Sequence, residues 1–240
     1  MSPEHNEAPF ASWRHVFKLD PDRAIADDVL EAVCLSGTDA VLVGGTTGVT
    51  YDNTVDLLAR IRRFEVPCAL EASTTEAAVP GFDWYLIPMV LNAASAEWVT
   101  GRQAAAIAEY GPFMPWDATW AEGYVILNAG AEAARLTGAR TELAEADAVA
   151  YARLADRLMR LPVVYCEYSG RFGDMRLVRR MREALTQARL FYGGGSADGE
   201  QARLAAEAAH TVVVGNAVYD NPEAALATVA AVQQTAVPGG

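Results

Sequence analysis

Eight short apolar segments recur along the 240 residues of the chain, separated by longer segments or loops. They do not alternate between apolar and polar positions, which is typical of strands that are buried on both faces of a parallel sheet. The predicted strands cover residues 15–19, 40–44, 68–72, 84–88, 124–128, 163–168, 190–194 and 211–215.

Most of the segments between these strands carry apolar residues at helical spacing. The predicted helices cover residues 27–36, 53–63, 95–109, 145–160, 174–187, 198–208 and 222–233. Repeated alternation of strands and helices predicts an α/β fold, a (β/α)8 TIM barrel, formed as a single domain by residues 1–240. Residues 1–12 are expected to be flexible.

Two connections depart from this alternation. Residues 73–83 include Pro80 and Gly81 and are too few for a crossover helix, so we expect a loop or short turn in place of the third helix. Residues 111–122 hold two prolines, two tryptophans and a phenylalanine. Two interpretations of this segment stay open, a packed surface segment or an apolar lid over a ligand.

Composition narrows the class of protein. The net charge of −12 argues against a nucleic-acid-binding protein, which normally has a basic face. Cys34, Cys68 and Cys166 are widely spaced, as expected of core residues in a reduced compartment. We see neither a membrane span nor a signal peptide and therefore expect a cytoplasmic protein.

Lys18 is the only lysine of the chain, because the other basic side chains are arginines. It lies at the end of the first strand, two residues before Asp20. Lysine carries a compact point charge and arginine a wide planar fork, so a narrow polar pocket could require lysine at this position. The alternative is chance survival in an arginine-rich sequence.

Polar and glycine residues gather after the strands, where TIM barrels form their active sites. Asp20 and Thr46 follow the first two strands, and a carboxylate with a hydroxyl suits Mg2+, although Asp20 could simply prepare the turn at Pro21. Glycines 193–195 and the Gly-Asn pair 215–216 follow strands seven and eight. They predict a phosphate site, with tight turns as the alternative.

Glu167 lies in an apolar run at the end of strand six. A carboxylate in such a run is costly unless it has a partner or a task. We expect it to hydrogen-bond a ligand hydroxyl and accept its proton, or else to pair with an arginine. Ser169 and Gly170 would add a hydroxyl and a backbone N–H to the phosphate site.

Together these motifs resemble the heptaprenylglyceryl phosphate synthase and geranylgeranylglyceryl phosphate synthase family. The matching segments read HVFKLDPD, SGTDAVLVGGTTGVTYDN, VPGFDWYLIP, VLN, EYSG, FYGGG and VVVGNAVY, in this order. The resemblance implies a Mg2+-dependent TIM-barrel prenyltransferase without a regular third helix. It would join a long prenyl diphosphate to the C3 hydroxyl of sn-glycerol 1-phosphate and release diphosphate.

The resemblance also implies a role for each motif. Lys18 would bind the glycerol phosphate, Asp20 and Thr46 would hold Mg2+, and Glu167 would be the base. The acceptor would be bound by Tyr165, Cys166, Glu167, Tyr168, Ser169 and Gly170, and its phosphate by Gly195, Gly215 and Asn216.

Walls for the prenyl tail are expected from three aromatic side chains and the segment described above. They are Tyr85, Trp98, Tyr124 and residues 111–122. We further expect a homodimer, no nucleic-acid partner and at most peripheral contact with a membrane.

Several positions depart from the family pattern. Cys166 replaces a larger apolar residue, Ser196 replaces isoleucine, and Met89 replaces a small hydroxyl residue, which leaves the chain length of the prenyl group open. Arg171 or Arg23 could bind an extra carboxylate, so a prenyltransferase of phosphoglycolipid synthesis acting on 3-phosphoglycerate is an alternative. A phosphometabolite-binding barrel without catalysis and a phosphosugar isomerase-type barrel are further alternatives.

Overall fold

The strands close into the predicted barrel in the computed structural model, which describes residues 8–75 and 78–237. All neighbouring strands are parallel and follow chain order around the barrel, so the predicted TIM barrel is confirmed. The strands are β1 His15–Leu19, β2 Ala40–Val43, β3 Cys68–Glu71, β4 Trp84–Val90, β5 Thr119–Ile126, β6 Val163–Glu167, β7 Arg189–Gly193 and β8 Thr211–Val214.

Helices pack around the outside of the barrel. They are α1 Asp27–Leu35, α2 Tyr51–Ile61, α3 Gly101–Tyr110, α4 Glu132–Thr137, α5 Glu145–Arg153, α6 Met175–Glu183, α7 Gly199–Ala208, α8 Ala217–Asp220 and α9 Pro222–Gln233. Local sequence sets several of their starts. Thr50 and Asn53 form a capping box on α2, and the Asp174 carboxylate accepts two backbone N–H groups at the start of α6. No helix of the described residues is long and apolar enough to cross a membrane.

Successive side chains of each strand point alternately into the barrel and out toward the helices. In β6, Tyr165 packs with the interior cluster, whereas Val164 and Cys166 pack with the outer one. Tyr165 lies opposite Tyr124 of β5, and the two rings stack with their centroids 4.4 Å apart. This alternation decides which residues of each strand can face a ligand.

The N-terminal end of the barrel is closed by aromatic side chains. Phe10 lies in a short 3-10 turn, Pro9–Ala11, and is 1% exposed. Its ring makes edge contacts with Trp13, Trp120 and Phe191, at centroid distances of 5.5–6.2 Å. Phe10 thus anchors this segment to the barrel, whereas Ala11 and Ser12 are exposed, and the expected flexibility of residues 1–12 stays a prediction. Residues 1–7 lie outside the described residues.

The structure differs from the predicted elements in five places. The predicted helix 95–109 begins only at Gly101, after a separate 3-10 turn, Ala96–Trp98. β5 begins at Thr119, so the predicted segment 111–122 is two 3-10 turns followed by strand. The helices α4 and α8 were not predicted, and the predicted helix 145–160 ends in a π turn, Leu154–Leu158. Between β3 and β4, residues 72–75 and 78–83 contain no α-helix, as predicted.

Candidate functional site

A cavity of about 1400 Å³ opens at the C-terminal ends of the strands. We call it the mouth cavity. Ten of the predicted site residues line it: Lys18, Asp20, Thr46, Tyr165, Glu167, Ser169, Gly170, Gly195, Gly215 and Asn216. The barrel topology thus brings together side chains that are far apart in the sequence.

Lys18 points into the barrel, where its ammonium group is surrounded by acidic and aromatic side chains. Its Nζ donates a hydrogen bond to Oε1 of Glu71 at 2.5 Å. The same atom lies 5.5 Å from the ring centroid of Tyr165 and 5.9 Å from that of Tyr124. Burial alone would lower the pKa of Lys18, but the carboxylates, Glu71 foremost, raise it overall. The ammonium therefore stays charged in a confined space.

Glu167 is almost fully buried at the end of β6. The Tyr124 hydroxyl donates a hydrogen bond to Oε2 at 2.7 Å, and the backbone N–H of Ser169 donates to Oε1. Burial raises the pKa of the carboxyl, while Lys18 and these two donors oppose that shift. A carboxyl group with a raised pKa at the cavity wall is suited to accept a proton from a bound hydroxyl.

Asp20 and Thr46 lie at the rim, where the first two strand ends approach closely. A Cβ atom at Gly45 would be 2.4 Å from Oδ1 of Asp20, so only glycine permits this approach. Burial raises the pKa of the Asp20 carboxyl, while the N–H of Asp22 on its Oδ1 opposes the shift and the Asp22 charge adds to it. A cation at this carboxylate would offset the cost of burying it.

The oxygen donors at this rim suit a magnesium site whose remaining ligands come from water and a bound substrate. Among the described residues, no three or more His, Cys, Asp or Glu side chains are grouped to hold a metal ion. Mg2+ commonly takes one or two carboxylates and completes its shell with water and substrate phosphates. Asp20 with the Thr46 hydroxyl is consistent with that pattern, and the remaining ligands would come from a phosphorylated substrate.

The loops after β6 and β7 pack tightly against each other, and the loop after β8 contacts the end of β1 and the loop that follows it. Gly195 has φ +47°, and a Cβ there would be 2.3 Å from backbone atoms of Arg171 and Phe172. Asn216 accepts a hydrogen bond from Arg23 through its side-chain oxygen at 3.0 Å. The close approach leaves backbone groups at the cavity wall, as a phosphate site requires.

The mouth cavity continues into an apolar groove over the outer face of β4. Tyr85 and Ile87 point away from the barrel axis. A helix between β3 and β4 would cover this face in a complete barrel. The loop before β4 and the segment after α3 form the two sides. We define the apolar groove by its lining residues Val79, Phe82, Tyr85, Ile87, Tyr110, Phe113, Met114 and Pro115. Trp98, an expected wall, also lines the cavity, as does Tyr124.

Three positions singled out in the sequence lie outside the lining of the mouth cavity. Cys166 does not line the mouth cavity, because it points outward and its Sγ lies 3.9 Å from Sδ of Met181. Tyr168 also points outward and packs on Tyr192. The contacts of these two residues with an acceptor stay a prediction, although neither lines the mouth cavity. Met89 lies on the same outer face of β4 as Tyr85, but it does not line the apolar groove.

Sequence reasoning missed other members of the site. Glu71 at the end of β3 is the ion-pair partner of Lys18, a role that no motif of the sequence indicated. The Tyr219 hydroxyl accepts the backbone N–H of Asp20 at 2.8 Å and holds the first loop in place. Glu122 lies within the segment that was expected to be a packed surface segment or an apolar lid, although it belongs to β5 and is fully buried. Only contacts across the barrel distinguish these residues from ordinary polar positions.

Comparison with known proteins places these features in a family. A sequence model described as the PcrB family matches residues 9–233. A heptaprenylglyceryl phosphate synthase from Geobacillus kaustophilus is 60% identical over 225 residues, covering 94% of each chain. A heptaprenylglyceryl phosphate synthase from Bacillus cereus is 53% identical over 223 residues, covering 93% of this chain and 97% of the relative.

A solved structure shares the fold at lower sequence identity. It is a (S)-3-O-geranylgeranylglyceryl phosphate synthase from Thermoplasma acidophilum, in complex with sn-glycerol-1-phosphate. It superposes with a TM-score of 0.84 at 22% identity, covering 95% of this chain and 96% of the other.

Proposed function

The chain belongs to the PcrB family, and on that premise we propose that it is a prenyltransferase acting on a glycerol phosphate. In this proposal it joins a long-chain prenyl diphosphate, of the heptaprenyl or geranylgeranyl type, to the C3 hydroxyl of sn-glycerol 1-phosphate. The observation that carries the proposal is one cavity with three parts: a buried Lys18–Glu71 pair beside Glu167, glycine-rich loops, and the apolar groove.

The relatives named heptaprenylglyceryl phosphate synthase support a heptaprenyl donor as the first choice. The size of the cavity agrees with two substrates, because pockets for a single small molecule are usually about 300–1,000 Å³. The prenyl tail would lie in the apolar groove, which gives an isoprenoid chain apolar contacts that a polar mouth does not offer.

The acceptor would bind on the opposite side of the mouth cavity. Its phosphate would lie at the loops after β7 and β8, near Gly195, Gly215 and Asn216. Its hydroxyls would lie toward Glu167 and Lys18. A hydrogen bond from Tyr124 holds the Glu167 carboxylate in position, and the ion pair with Glu71 holds the Lys18 ammonium. Such a preformed arrangement holds the reacting hydroxyl in place before the donor arrives.

Ether formation would need a proton acceptor and stabilisation of the leaving group. Glu167 takes the proton of the C3 hydroxyl, the oxygen bonds to the allylic carbon of the donor, and the bond from that carbon to diphosphate breaks. Asp20 and Thr46 would hold Mg2+, which when bound supplies positive charge for the departing diphosphate. Lys18 orients the acceptor near the same carboxylate.

A donor and acceptor panel tests this proposal. Purified protein is incubated with radiolabelled farnesyl, geranylgeranyl or heptaprenyl diphosphate, with and without Mg2+. Each donor is paired with sn-glycerol 1-phosphate, its 3-isomer or 3-phosphoglycerate. We expect transfer to sn-glycerol 1-phosphate with the longest donors, poor reaction of the 3-isomer and loss of transfer when the metal is chelated.

One observation favours a second acceptor. Arg171 lines the mouth cavity, with its guanidinium carbon 5.7 Å from the ring centroid of Tyr168. A guanidinium there could pair with the carboxylate of 3-phosphoglycerate. Transfer to 3-phosphoglycerate, with none to sn-glycerol 1-phosphate, would replace the first proposal by the second. No transfer with any pair would contradict both.

A further inference from the structure

Glu122 of β5 is the acidic residue of the barrel interior that the proposed reaction does not use. It points toward the barrel axis, is 0% exposed, and does not line the mouth cavity. Neither of its carboxyl oxygens accepts a hydrogen bond. An ionised carboxylate buried without a donor is among the costliest groups in a protein interior. Its protonation state therefore needs a physical explanation.

The surroundings of Glu122 add negative rather than positive charge. Glu71 on β3 is close enough to form a hydrogen bond with it, and Glu167 on β6 acts on it electrostatically. Lys18 on β1 is the one cation among these groups, and Glu71 already binds it. With all three carboxyl groups ionised, one ammonium would face three buried negative charges.

The free oxygen of Glu71 completes the geometry. Oε1 of Glu71 accepts the Lys18 ammonium, whereas Oε2 is buried and has no donor. Two carboxyl groups in contact, one of them protonated, can satisfy such an oxygen with a single O–H···O bond. We propose that Glu122 is held as a neutral carboxylic acid that donates its proton to Glu71 and so positions the Glu71 carboxylate on Lys18.

Electrostatics support this assignment. Burial, and then the charge of Glu71, raise the pKa of Glu122 well above its usual range, and Lys18 opposes the shift only in part. A neutral Glu122 also removes one negative charge from beneath a cavity that is proposed to receive two anionic substrates. Glu122 is thus a positioning residue that acts through Glu71, and this role rests on the proposed binding of the acceptor at Lys18.

Protonation can be measured without any substrate. Infrared spectra of the wild type and of Glu122→Gln are compared in H2O and D2O near neutral pH. A neutral acid gives a carboxylic carbonyl band that shifts with deuteration and is absent from the variant. We expect that band in the difference spectrum, and its absence would overturn the assignment, whatever the enzyme does with prenyl donors.

Positioning can be measured on Lys18 itself. Because Lys18 is the only lysine of the chain, lysine-selective 15N labelling yields a single ammonium resonance. Glu122→Met keeps the length of the side chain but cannot donate, whereas Glu122→Gln keeps a neutral donor. We expect the resonance to shift or broaden in Glu122→Met and to stay near its wild-type position in Glu122→Gln. Glu71→Gln, which weakens the ion pair directly, gives the reference shift.

Kinetics then connect the network to the proposed function. Glu122→Met should raise the KM for the acceptor roughly tenfold, since one hydrogen bond to a charged group is lost, with little change in the KM for the donor. Glu122→Gln should restore most of that loss. If Glu122→Met leaves the ammonium resonance and the acceptor KM at wild-type values, the positioning role is wrong. If Glu122→Met does not fold, the infrared band and the Glu122→Gln resonance still decide between a neutral and an ionised Glu122.

Discussion

The two ends of the barrel interior contain different kinds of side chains, aromatic at one end and charged at the other. At the N-terminal end, Phe10, Trp13 and Trp120 close the barrel by edge contacts between rings. At the C-terminal end, Lys18, Glu71 and Glu167 lie beneath a large open cavity. Burial of apolar surface stabilises the closed end, whereas the open end buries charges that would be more stable in water.

The difference between the two ends separates residues that stabilise the fold from residues that could act on a ligand. Aromatic packing at the closed end contributes to folding and holds no group that could react with a ligand. The charged groups at the open end are costly to bury, as expected where a protein performs chemistry. Changes at the two ends should therefore appear in different measurements.

The largest expected effect is at the open end. Glu167→Gln keeps the shape of the side chain but removes its capacity to accept a proton. We expect kcat for prenyl transfer to fall by about 10²–10⁴-fold, with a melting temperature close to that of the wild type. Steady-state kinetics and thermal melts test both parts. A nearly normal kcat would show that the carboxylate serves only to orient Tyr124 and Ser169.

The matching change at the closed end should reverse the pattern. Phe10→Ala removes a buried ring, and such changes cost about 3–5 kcal/mol. For a chain of this size we expect a melting temperature lower by roughly 6–20 °C, with kcat per folded molecule unchanged. Ser12→Ala, on the exposed side of the same segment, is the matched control and should melt like the wild type. A fall in kcat without a fall in melting temperature would contradict the division between the two ends.

Much of this fold could be predicted from the sequence because parallel strands buried on both faces leave continuous apolar runs. Those runs carry no alternation, however, and so do not reveal which residues face inward. Cys166 and Tyr168 were assigned to the site through the family resemblance, and the apolar run gave no indication that their side chains point toward the helices. The start of β5 was missed because Glu122 and Gly123 interrupt its apolar run, and both residue types are depleted in strands.

The site could be predicted as far as strand ends and motifs specify it. Lys18, Asp20 and Glu167 were placed correctly at the mouth because the barrel brings all C-terminal strand ends together. The partner of Lys18 was not predicted, since Glu71 lies 53 residues away and only the closed barrel brings the two side chains into contact. Pairings across the barrel depend on register and closure, which a single sequence does not encode locally.

A smaller effect is expected from exchanging the cation at the open end. Lys18→Arg keeps the charge but replaces a compact ammonium with a wide planar group between Glu71 and two tyrosine rings. We expect the acceptor KM to rise roughly tenfold, on the scale of one charge-assisted contact, and the donor KM to change less. Initial rates in both substrates, with thermal melts, test this expectation. Wild-type acceptor kinetics would mean that the single lysine reflects drift in an arginine-rich sequence.

The smallest effect should separate the two faces of a single strand within the open end. Cys166 faces the helices beside Met181, and its neighbour Tyr165 faces the mouth cavity. Cys166→Ala removes a small buried group, so we expect a loss of about 1 kcal/mol in unfolding free energy and no change in either KM. Tyr165→Phe removes a hydroxyl at the cavity wall and should raise the acceptor KM with a comparable change in stability. Urea unfolding and initial rates on both variants give the comparison. A change in the acceptor KM of Cys166→Ala equal to that of Tyr165→Phe would show that side chains behind the strand also control the site.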